Sequence, residues 1–332
     1  MSIFFFIGLF IVSCIVLLYS STLLVDALEK IALYLRIREF IIALFLFAIG
    51  ASIPNLMVGV ISAVRALATG NQILTTLSLG DVMGGNILDL SLGLGLAILF
   101  SNNGIEANSK TVQFSAIAAI FFATLPLLLM LDGSISRIDG VILIFGYIFY
   151  ALWVFSDKSR ITRPYSKSER KPSGKVFAKS FSKAIMGIFL LMLGGYGIVE
   201  SAIQFSSHFG LSIGIIGLIV VALANAAPEI FFAIQAAKRG QEWMVLGDLL
   251  GGIITCSTLV LGIVAIISPI IVEAISFSVI SRVFLILICL FFIVSVRNDR
   301  RLSKKEGGLL IVLYVLFLIS EMVFRDYINL YL

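Results

Sequence analysis

Long apolar runs recur along the whole chain, and this pattern limits what the chain can fold into. About 20 consecutive apolar residues are enough for a helix to cross the hydrocarbon core of a bilayer. The 332 residues are 60% hydrophobic and 13% charged, whereas a soluble domain is roughly 45–50% apolar and 25% charged. The sequence therefore predicts an all-α polytopic membrane protein and excludes a soluble globular one.

Roughly ten membrane helices account for this length, at about 20–25 residues per span with short loops. No sizeable soluble domain fits beside them, so function is expected inside the helix bundle. The predicted helices are 3–25, 38–68, 73–101, 111–131, 137–156, 182–206, 211–238, 243–268, 274–296 and 307–330.

Basic residues gather in the segments between the predicted helices, most densely in 157–181. Membrane proteins keep Lys and Arg on the cytoplasmic side. A cytoplasmic 157–181 loop places all but four of the 24 Lys and Arg residues on that side. We therefore predict that both termini lie outside the cell (plasma or inner) membrane, and that the loop contacts anionic lipid headgroups. The basic residues have no domain of their own, which argues against nucleic acid as a partner.

The two halves of the chain resemble each other. Residues 79–95, LGDVMGGNILDLSLGLG, match residues 246–262, LGDLLGGIITCSTLVLG, without a gap. Upstream of these segments, Pro54 of the first half matches Pro228 of the second. We predict a first five-helix repeat over 1–156, the basic cytoplasmic loop over 157–181, and a second five-helix repeat over 182–332. Because five is odd, the second repeat enters the membrane from the opposite side, and such inverted repeats are typical of transporters.

Pro54 and Pro228 each lie in the middle of a predicted span. Proline removes one backbone hydrogen bond and frees a carbonyl group. At bilayer depth, freed carbonyls are tolerated where they line a polar cavity, and they are good ligands for hard cations. The sequence therefore predicts that both helices break at these prolines.

Acidic and amide side chains lie in the same spans. Asn55 and Glu229 follow the two prolines, Asp89 lies deep in the third span, and Asp81 and Asp248 lie earlier in their helices. A buried carboxylate costs at least about 2.5–3.5 kcal/mol, and no Lys or Arg lies beside these residues. A proton or a bound cation must supply positive charge. Oxygen donors favour hard cations such as Ca²⁺, Na⁺ or H⁺ over zinc or copper, and no cofactor is predicted.

Glycines at small-x-x-x-small spacing flank the aspartates of the third and eighth spans, which predicts close helix packing. They are Gly80, Gly84 and Gly85, with Gly247, Gly251 and Gly252. Asp26 and Glu200 lie at the ends of the first and sixth spans, and the alignment that pairs the two prolines also pairs these two residues. Each is either a solvated interfacial carboxylate or, as a family resemblance of the two repeats implies, part of a gate.

The paired segments GASIPN with GDVMGGNILD, and ANAAPE with GDLLGGIITC, resemble the alpha repeats of the calcium/cation antiporter superfamily, the relatives of the sodium/calcium exchangers. Repeats of that family read G-T-S-x-P-E followed by G-[ND]-x-x-G-S-N-x-x-[ND]. The corresponding segments here are 50–95 and 224–262. The second is also similar to the cation/calcium exchanger branch. The resemblance implies ten helices in two inverted repeats, with helices one and six exposing a fixed site to either face in turn.

The resemblance also implies roles for single residues. Asn55 and Glu229 occupy the places of the two family glutamates that ligate calcium. Ser52 and Asn225 occupy places of hydroxyl ligands, and Asp89 and Cys256 those of the final Asn or Asp. Thr255 is an alternative donor beside Cys256. The predicted cation ligands are therefore Glu229, Asp89, Asn55, Asn225, Ser52, Thr255, Cys256, Asp81 and Asp248.

The expected function is secondary active antiport of Ca²⁺ against Na⁺ or H⁺, without an obligatory protein partner. Because Asp89 and Glu229 supply at most two negative charges, we expect two-for-one or proton-coupled exchange. Three alternatives stay open: an antiporter for Mg²⁺ or Mn²⁺, a degenerate family member that no longer transports, and an intramembrane aspartyl protease using Asp81 and Asp248. The two Leu-Gly-Asp elements repeat each other rather than pairing with a Tyr-Asp element, which argues against the protease.

Overall fold

A computed structural model describes residues 3–34, 39–107, 110–156, 174–240, 242–272, 275–298 and 301–331, and most of these residues are helical. The first half contains α1 (Ile3–Tyr34), α2 (Glu39–Thr69), α3 (Thr76–Leu88), α4 (Leu94–Phe100), α5 (Lys110–Leu129) and α6 (Arg137–Ser156). The second half contains α7 (Gly174–Phe209), α8 (Ile213–Ile216), α9 (Ala222–Lys238), α10 (Glu242–Thr255), α11 (Leu261–Ile267), α12 (Ile275–Asn298) and α13 (Lys304–Tyr331).

Short π-helical turns join six of these segments into three long helices. Asp89–Gly93 joins α3 to α4, Gly217–Val221 joins α8 to α9, and Cys256–Val260 joins α10 to α11. The result is ten helical rods at the ten predicted places, so the predicted all-α membrane fold is confirmed. By length and composition, nine helices within the described ranges are able to cross a membrane. The tenth rod is α6, which packs against α11.

The helices α1 and α7, which we name the gate helices, are longer than predicted. α1 continues past its apolar part to Tyr34, and α7 begins at Gly174. Residues 174–181 of the expected loop are therefore helical, while 157–173 lie outside the described residues. The charged residues that end the apolar runs are themselves good helix formers, which is why hydropathy alone underestimates these helices.

The internal repeat is visible in the backbone. One π-helical turn begins at Asp89 and another at Cys256, and these two residues are paired by the same alignment that relates the two sequence motifs. A π-turn inserts one extra residue into a helix and is frequent at functional sites. The chain is therefore built of two inverted five-helix repeats with the same local irregularity at the same place.

Two short strand pairs tie loops together at opposite ends of the bundle. β1 (Ile105–Glu106) pairs antiparallel with β4 (Arg301–Leu302), and β2 (Ser134–Ile135) pairs antiparallel with β3 (Ile270–Ile271). Each pair joins one strand from the first repeat to one from the second. We name the two ends of the bundle the β1–β4 face and the β2–β3 face.

The helices that contain Pro54 and Pro228 do not break, contrary to the expectation. Both prolines lie inside continuous helices, α2 and α9. A proline removes a single hydrogen bond of the ladder, and the turns around each proline are partly or fully buried against neighbouring helices. Packing therefore holds each helix together across the gap. The interruption is confined to the carbonyl groups of Gly50 and Ala224, which have lost their usual donor four residues later.

Small residues set how the helices pack. α1 and α7 lie against each other where α7 carries Gly187 and Gly194, whose added Cβ atoms would lie 3.3 Å from Leu24 Cβ and 2.9 Å from Leu17 Cγ. One buried cluster comprises side chains of α3–α6 and α9–α13, and a second lies mainly beneath α1, α2, α7 and α8. Large apolar side chains are exposed on the outer helices, as expected for surfaces that face lipid.

Candidate functional site

Asp81 lies at the closest approach between the two repeats. It stands on α3 between Gly80 and Gly84, and a Cβ atom at either glycine would overlap a backbone carbonyl oxygen, of Gly214 or Leu218 respectively. The glycines therefore allow α3 to lie directly on the backbone of the segment that leads into α9. This contact brings Asp81 beside Asn225 of the other repeat, a proximity that the sequence motifs alone do not reveal.

The carboxylate of Asp81 is held by two amides. Asn55 Nδ2 donates to Asp81 Oδ2 at 3.3 Å, and Asn225 Nδ2 donates to both carboxylate oxygens at 3.1 Å. Asp81 is 0% exposed, and the two asparagines are buried. Two amides thus satisfy a carboxylate that has no basic side chain as a partner among the described residues.

Asp89 and Glu229 form a second acidic group. Their carboxyl groups, one from each repeat, lie within hydrogen-bonding reach of each other. Asp89 is buried, and its Oδ1 atom has no hydrogen-bond partner in the described part of the chain. Two carboxylates this close cannot both stay charged unless a proton or a cation lies between them. The pair is therefore a place where positive charge must be supplied from outside the chain.

Asp248, which corresponds to Asp81 in the second repeat, has a different environment. It is half-buried and lies within electrostatic range of Asp89 and Glu229. It makes no hydrogen bond to any side chain in the described ranges. The amide pair that surrounds Asp81 has no counterpart here, because the position of Asn55 is taken by Glu229 and that of Asn225 by an alanine.

The remaining predicted ligands are divided between two contacts. Cys256 Sγ donates to Ser52 Oγ at 3.5 Å, and both residues are buried. Thr255 Oγ1 instead donates to the carbonyl oxygen of Gly251 at 2.8 Å, within its own helix. The structure therefore brings Ser52 and Cys256 together across the repeats, while the Thr255 hydroxyl is engaged elsewhere.

Two contacts of this region were not predicted from the sequence. Asn86 Nδ2 donates to Ser257 Oγ at 2.8 Å, and both side chains are buried. Arg65 on α2 forms an ion pair with Glu200 on α7. Asn86 is the Asn of the first-repeat motif, which is the signal that would have pointed to it. Arg65 is one of the four Lys and Arg residues that are not placed on the predicted cytoplasmic side, which is the signal that would have pointed to it.

Carboxylates alone do not form a chelating cluster. Over the described residues, no three His, Cys, Asp or Glu side chains are close enough together to hold a metal ion. A cation bound here would need amide, hydroxyl and backbone carbonyl oxygens to complete its shell. Such mixed oxygen donors suit Ca²⁺ and other hard cations.

The glycines of the two motifs have different surroundings among the described residues. An added Cβ atom at Gly247, Gly251 or Gly252 would meet no described atom within 4 Å, in contrast to the crowded Gly80 and Gly84. The stretch of α2 that matches the packing partners of Gly80 and Gly84 is 40–48, whose side chains lie outside the described residues, so the close packing expected for the second glycine set stays a prediction; at Gly85 no such packing is found among the described residues.

Exposure along α10 follows the same asymmetry. Gly247 is exposed, and Asp248 and Gly251 are half-buried. These positions lie on the half of α10 nearer the β1–β4 face. They are the more exposed positions of α10 on the side of the β1–β4 face.

Comparisons with known proteins agree with this architecture. The family model described as "Sodium/calcium exchanger protein" matches residues 5–156 and 179–323. CaxA of Alkalimonas amylolytica is 26% identical over 313 residues, which cover 92% of this chain and 95% of CaxA.

Two solved structures have a similar fold. The crystal structure of the H⁺/Ca²⁺ exchanger CAX has a TM-score of 0.77 at 17% identity, covering 97% of this chain and 84% of that one. The sodium-calcium exchanger NCX_Mj, soaked with Na⁺ and Sr²⁺, has a TM-score of 0.61 at 24% identity, covering 96% of this chain and 99% of that one. At these identities the likeness concerns the fold.

Proposed function

The chain belongs to the sodium/calcium exchanger protein family, and from this premise we propose that it exchanges Ca²⁺ for Na⁺ or H⁺ by alternating access. It is an integral membrane transporter and not an enzyme, which removes the aspartyl protease from the alternatives. The family includes carriers that differ in the ions they exchange, so the cation and its coupling ion rest on the site itself.

The observation that carries the proposal is the carboxyl pair of Asp89 and Glu229. The two groups come from opposite repeats, lie within reach of each other, and have no basic side chain beside them among the described residues. A single Ca²⁺, or two monovalent ions, would neutralise both charges. Competition for one pair of charges is the physical basis of antiport, because the site is emptied of one ion only as the other replaces it.

The other donors supply oxygen atoms without further charge. The side-chain carbonyl oxygens of Asn55 and Asn225, together with the hydroxyl of Ser52, would complete the shell of a calcium ion, which takes six to eight oxygen ligands. The free backbone carbonyls before Pro54 and Pro228 add two more donors. Cys256 is a poor ligand for a hard cation, and we assign it a packing role beside Ser52.

The orientation in the membrane follows from charge. The β1–β4 face carries the ends of the basic loop 157–181, so this face would be cytoplasmic and both termini outside. The exposed Gly247 and the half-buried Asp248 and Gly251 of α10 would then lie toward the cytoplasm. In the proposed cycle, α1 and α7 move against the rest of the bundle, and the repeats 1–156 and 182–332 exchange their roles at the two faces.

The experiment is ⁴⁵Ca²⁺ uptake into proteoliposomes under an outward Na⁺ gradient or an outward H⁺ gradient. We expect uptake under one gradient and its loss when an ionophore for that ion dissipates the gradient. We also expect two Na⁺ or H⁺ per Ca²⁺, so transport should carry little or no current. A current corresponding to three monovalent ions per Ca²⁺ would contradict this stoichiometry.

Absence of uptake under both gradients would overturn calcium exchange. Uptake of Mn²⁺ or Mg²⁺ under the same gradients would then support the alternative divalent substrate. If no divalent cation binds to the purified protein, the non-transporting alternative is correct.

A further inference from the structure

Asp81 is buried beside the proposed ligands, yet both of its oxygens are already occupied. They accept three hydrogen bonds from the amides of Asn55 and Asn225. An asparagine side chain has a donor end and an acceptor end. The end that is bound to Asp81 therefore determines where the carbonyl end points.

We propose that Asp81 is a positioning residue, which turns the amides of Asn55 and Asn225 so that their carbonyl oxygens face the transported cation. This inference rests on the proposed function, since it assigns those two oxygens to the cation. Within the described chain neither oxygen accepts a hydrogen bond from a protein group. Both are thus available as ligands.

The carboxylate also strengthens these ligands. Hydrogen bonds to an ionised acceptor are stronger than those between neutral groups, and a chain of hydrogen bonds in a dry interior polarises its members. Negative charge on Asp81 draws the amide hydrogens and shifts electron density toward the carbonyl oxygens. Because Asn55 and Asn225 belong to opposite repeats, one buried carboxylate orients ligands from both halves of the site.

The test is a double-mutant cycle on equilibrium ⁴⁵Ca²⁺ binding to the purified protein. Asp81→Asn keeps the size of the side chain but replaces one carboxylate oxygen by an amide NH₂ group, which cannot accept a hydrogen bond from Asn55 or Asn225. We expect it to weaken binding about 10- to 100-fold, the effect typical of groups that orient metal ligands. In the Asn225→Ala background the same substitution should cost at least about fivefold less, because the main group through which Asp81 acts is absent.

Each result distinguishes a different model. An equal loss of Ca²⁺ affinity in both backgrounds would show that Asp81 ligates the ion directly. An unchanged Ca²⁺ affinity of Asp81→Asn would show that Asp81 has no role in binding. Either result overturns the proposal. If the wild-type protein binds no Ca²⁺, the proposed function fails instead. Size-exclusion profiles and melting temperatures, with Asp132→Asn in an exposed turn as the control, identify any variant that does not fold.

A second inference comes from an independent observation at the β2–β3 face. The ion pair between Arg65 and Glu200 joins α2 to α7, and the Arg65 guanidinium also lies 5.7 Å from the ring centre of Tyr196. Both charged side chains are about one-quarter exposed. The pair connects a helix of the proposed site to a gate helix at the β2–β3 face, on the side where Gly80 packs against Gly214.

The inverted repeat supplies a matching pair at the other face. The alignment that pairs Pro54 with Pro228 also pairs Arg65 with Arg239, and Asp26 with Glu200. Asp26 and Arg239 are both exposed, and neither forms an ion pair with another described residue. This unformed pair lies at the β1–β4 face, where Gly247 of α10 is exposed.

We infer that the two pairs are alternating latches: Arg65–Glu200 closes the β2–β3 face, and Asp26–Arg239 closes the β1–β4 face in the opposite conformation. Each latch stabilises one of two states that are otherwise equivalent by symmetry. A partly exposed ion pair contributes modestly, so each latch adjusts the balance between the states rather than locking either one. Such a balance lets a transporter pass through both states in every cycle.

The latches predict effects of opposite sign on one reporter. The reporter is the rate at which a membrane-impermeant maleimide modifies Gly247→Cys, an exposed position, in a Cys14→Ala/Cys289→Ala background without a transported ion. Arg65→Gln should slow modification about two- to fivefold, because it destabilises the state that is open at Gly247. Asp26→Asn should accelerate modification by a similar factor. If the open state already predominates in the parent protein, the modification rate is already that of the open state and cannot rise further.

A charge exchange removes the ambiguity of a saturated rate. Arg65→Glu and Glu200→Arg should each slow modification, whereas the two together should restore it to within about twofold of the parent. Slow modification in the doubly exchanged protein, or equal rates in all variants, would overturn the inference. The measurement holds whichever cation is transported, so its failure would leave the proposed exchange activity unaffected.

Discussion

Replacing Glu229 by glutamine is expected to abolish cation exchange, with uptake at least 100-fold below wild type. Glutamine keeps the size of the side chain and its hydrogen bonding but removes one of the two charges at the carboxyl pair. In a buried site, an ion with two positive charges would then face the single carboxylate of Asp89, and the uncompensated charge is costly in a low-dielectric interior. The measurement is ⁴⁵Ca²⁺ uptake under the gradient that drives the wild-type protein.

Glu106→Gln is the matched control for this experiment. Glu106 is exposed in β1, far from the carboxyl pair in the fold, and its substitution should leave uptake unchanged. Uptake by Glu229→Gln above about one-tenth of the wild-type rate would contradict the assignment of this pair as the charged centre of the site.

Gly84→Ala is expected to destabilise the protein by about 1–3 kcal/mol, the usual cost of overpacking a tight contact. The added methyl group would overlap the Leu218 carbonyl oxygen and lie 2.8 Å from Ala222 Cβ. Neither neighbour is a flexible side chain, so α3 must move away from the segment that carries Asn225. The measurement is the thermal unfolding midpoint of the purified protein in detergent, which should fall by several degrees.

The repeat provides its own control for that substitution. Gly251 is the counterpart of Gly84 in the second motif, and its added Cβ atom would meet no atom of the described residues within 4 Å. Alanine is a better helix former than glycine by about 1 kcal/mol, so Gly251→Ala should leave the midpoint unchanged or raise it. Equal losses at the two positions would contradict the asymmetry between the two glycine sets.

Most of the fold could be predicted from the sequence, because its main determinants are local. Apolar runs define where helices cross the membrane, and all ten predicted spans coincide with helices. The lengths of α1 and α7 were underestimated, since helix propensity continues where hydropathy ends. The breaks expected at Pro54 and Pro228 were wrong, because the loss of one hydrogen bond is a local effect that packing from other helices overrides.

The site could be predicted only in part from the sequence. The residue types were evident from buried charge without basic partners, but their pairings depend on contacts between repeats. The amides of Asn55 and Asn225 meet at Asp81 because two glycines let α3 approach the other repeat. A hydropathy pattern does not predict how closely two helices approach each other. The difference between the two glycine sets could not be predicted from the sequence, since two nearly identical glycine motifs predict identical packing.

The two strand pairs have a consequence for how many repeats such a fold needs. Each pair takes one strand from either repeat, and the Asp81 carboxylate likewise holds an amide from each. A single repeat on its own would leave two strands unpaired and half a site unfinished. The smallest unit that closes both strand pairs and completes the site therefore contains two repeats in opposite orientation.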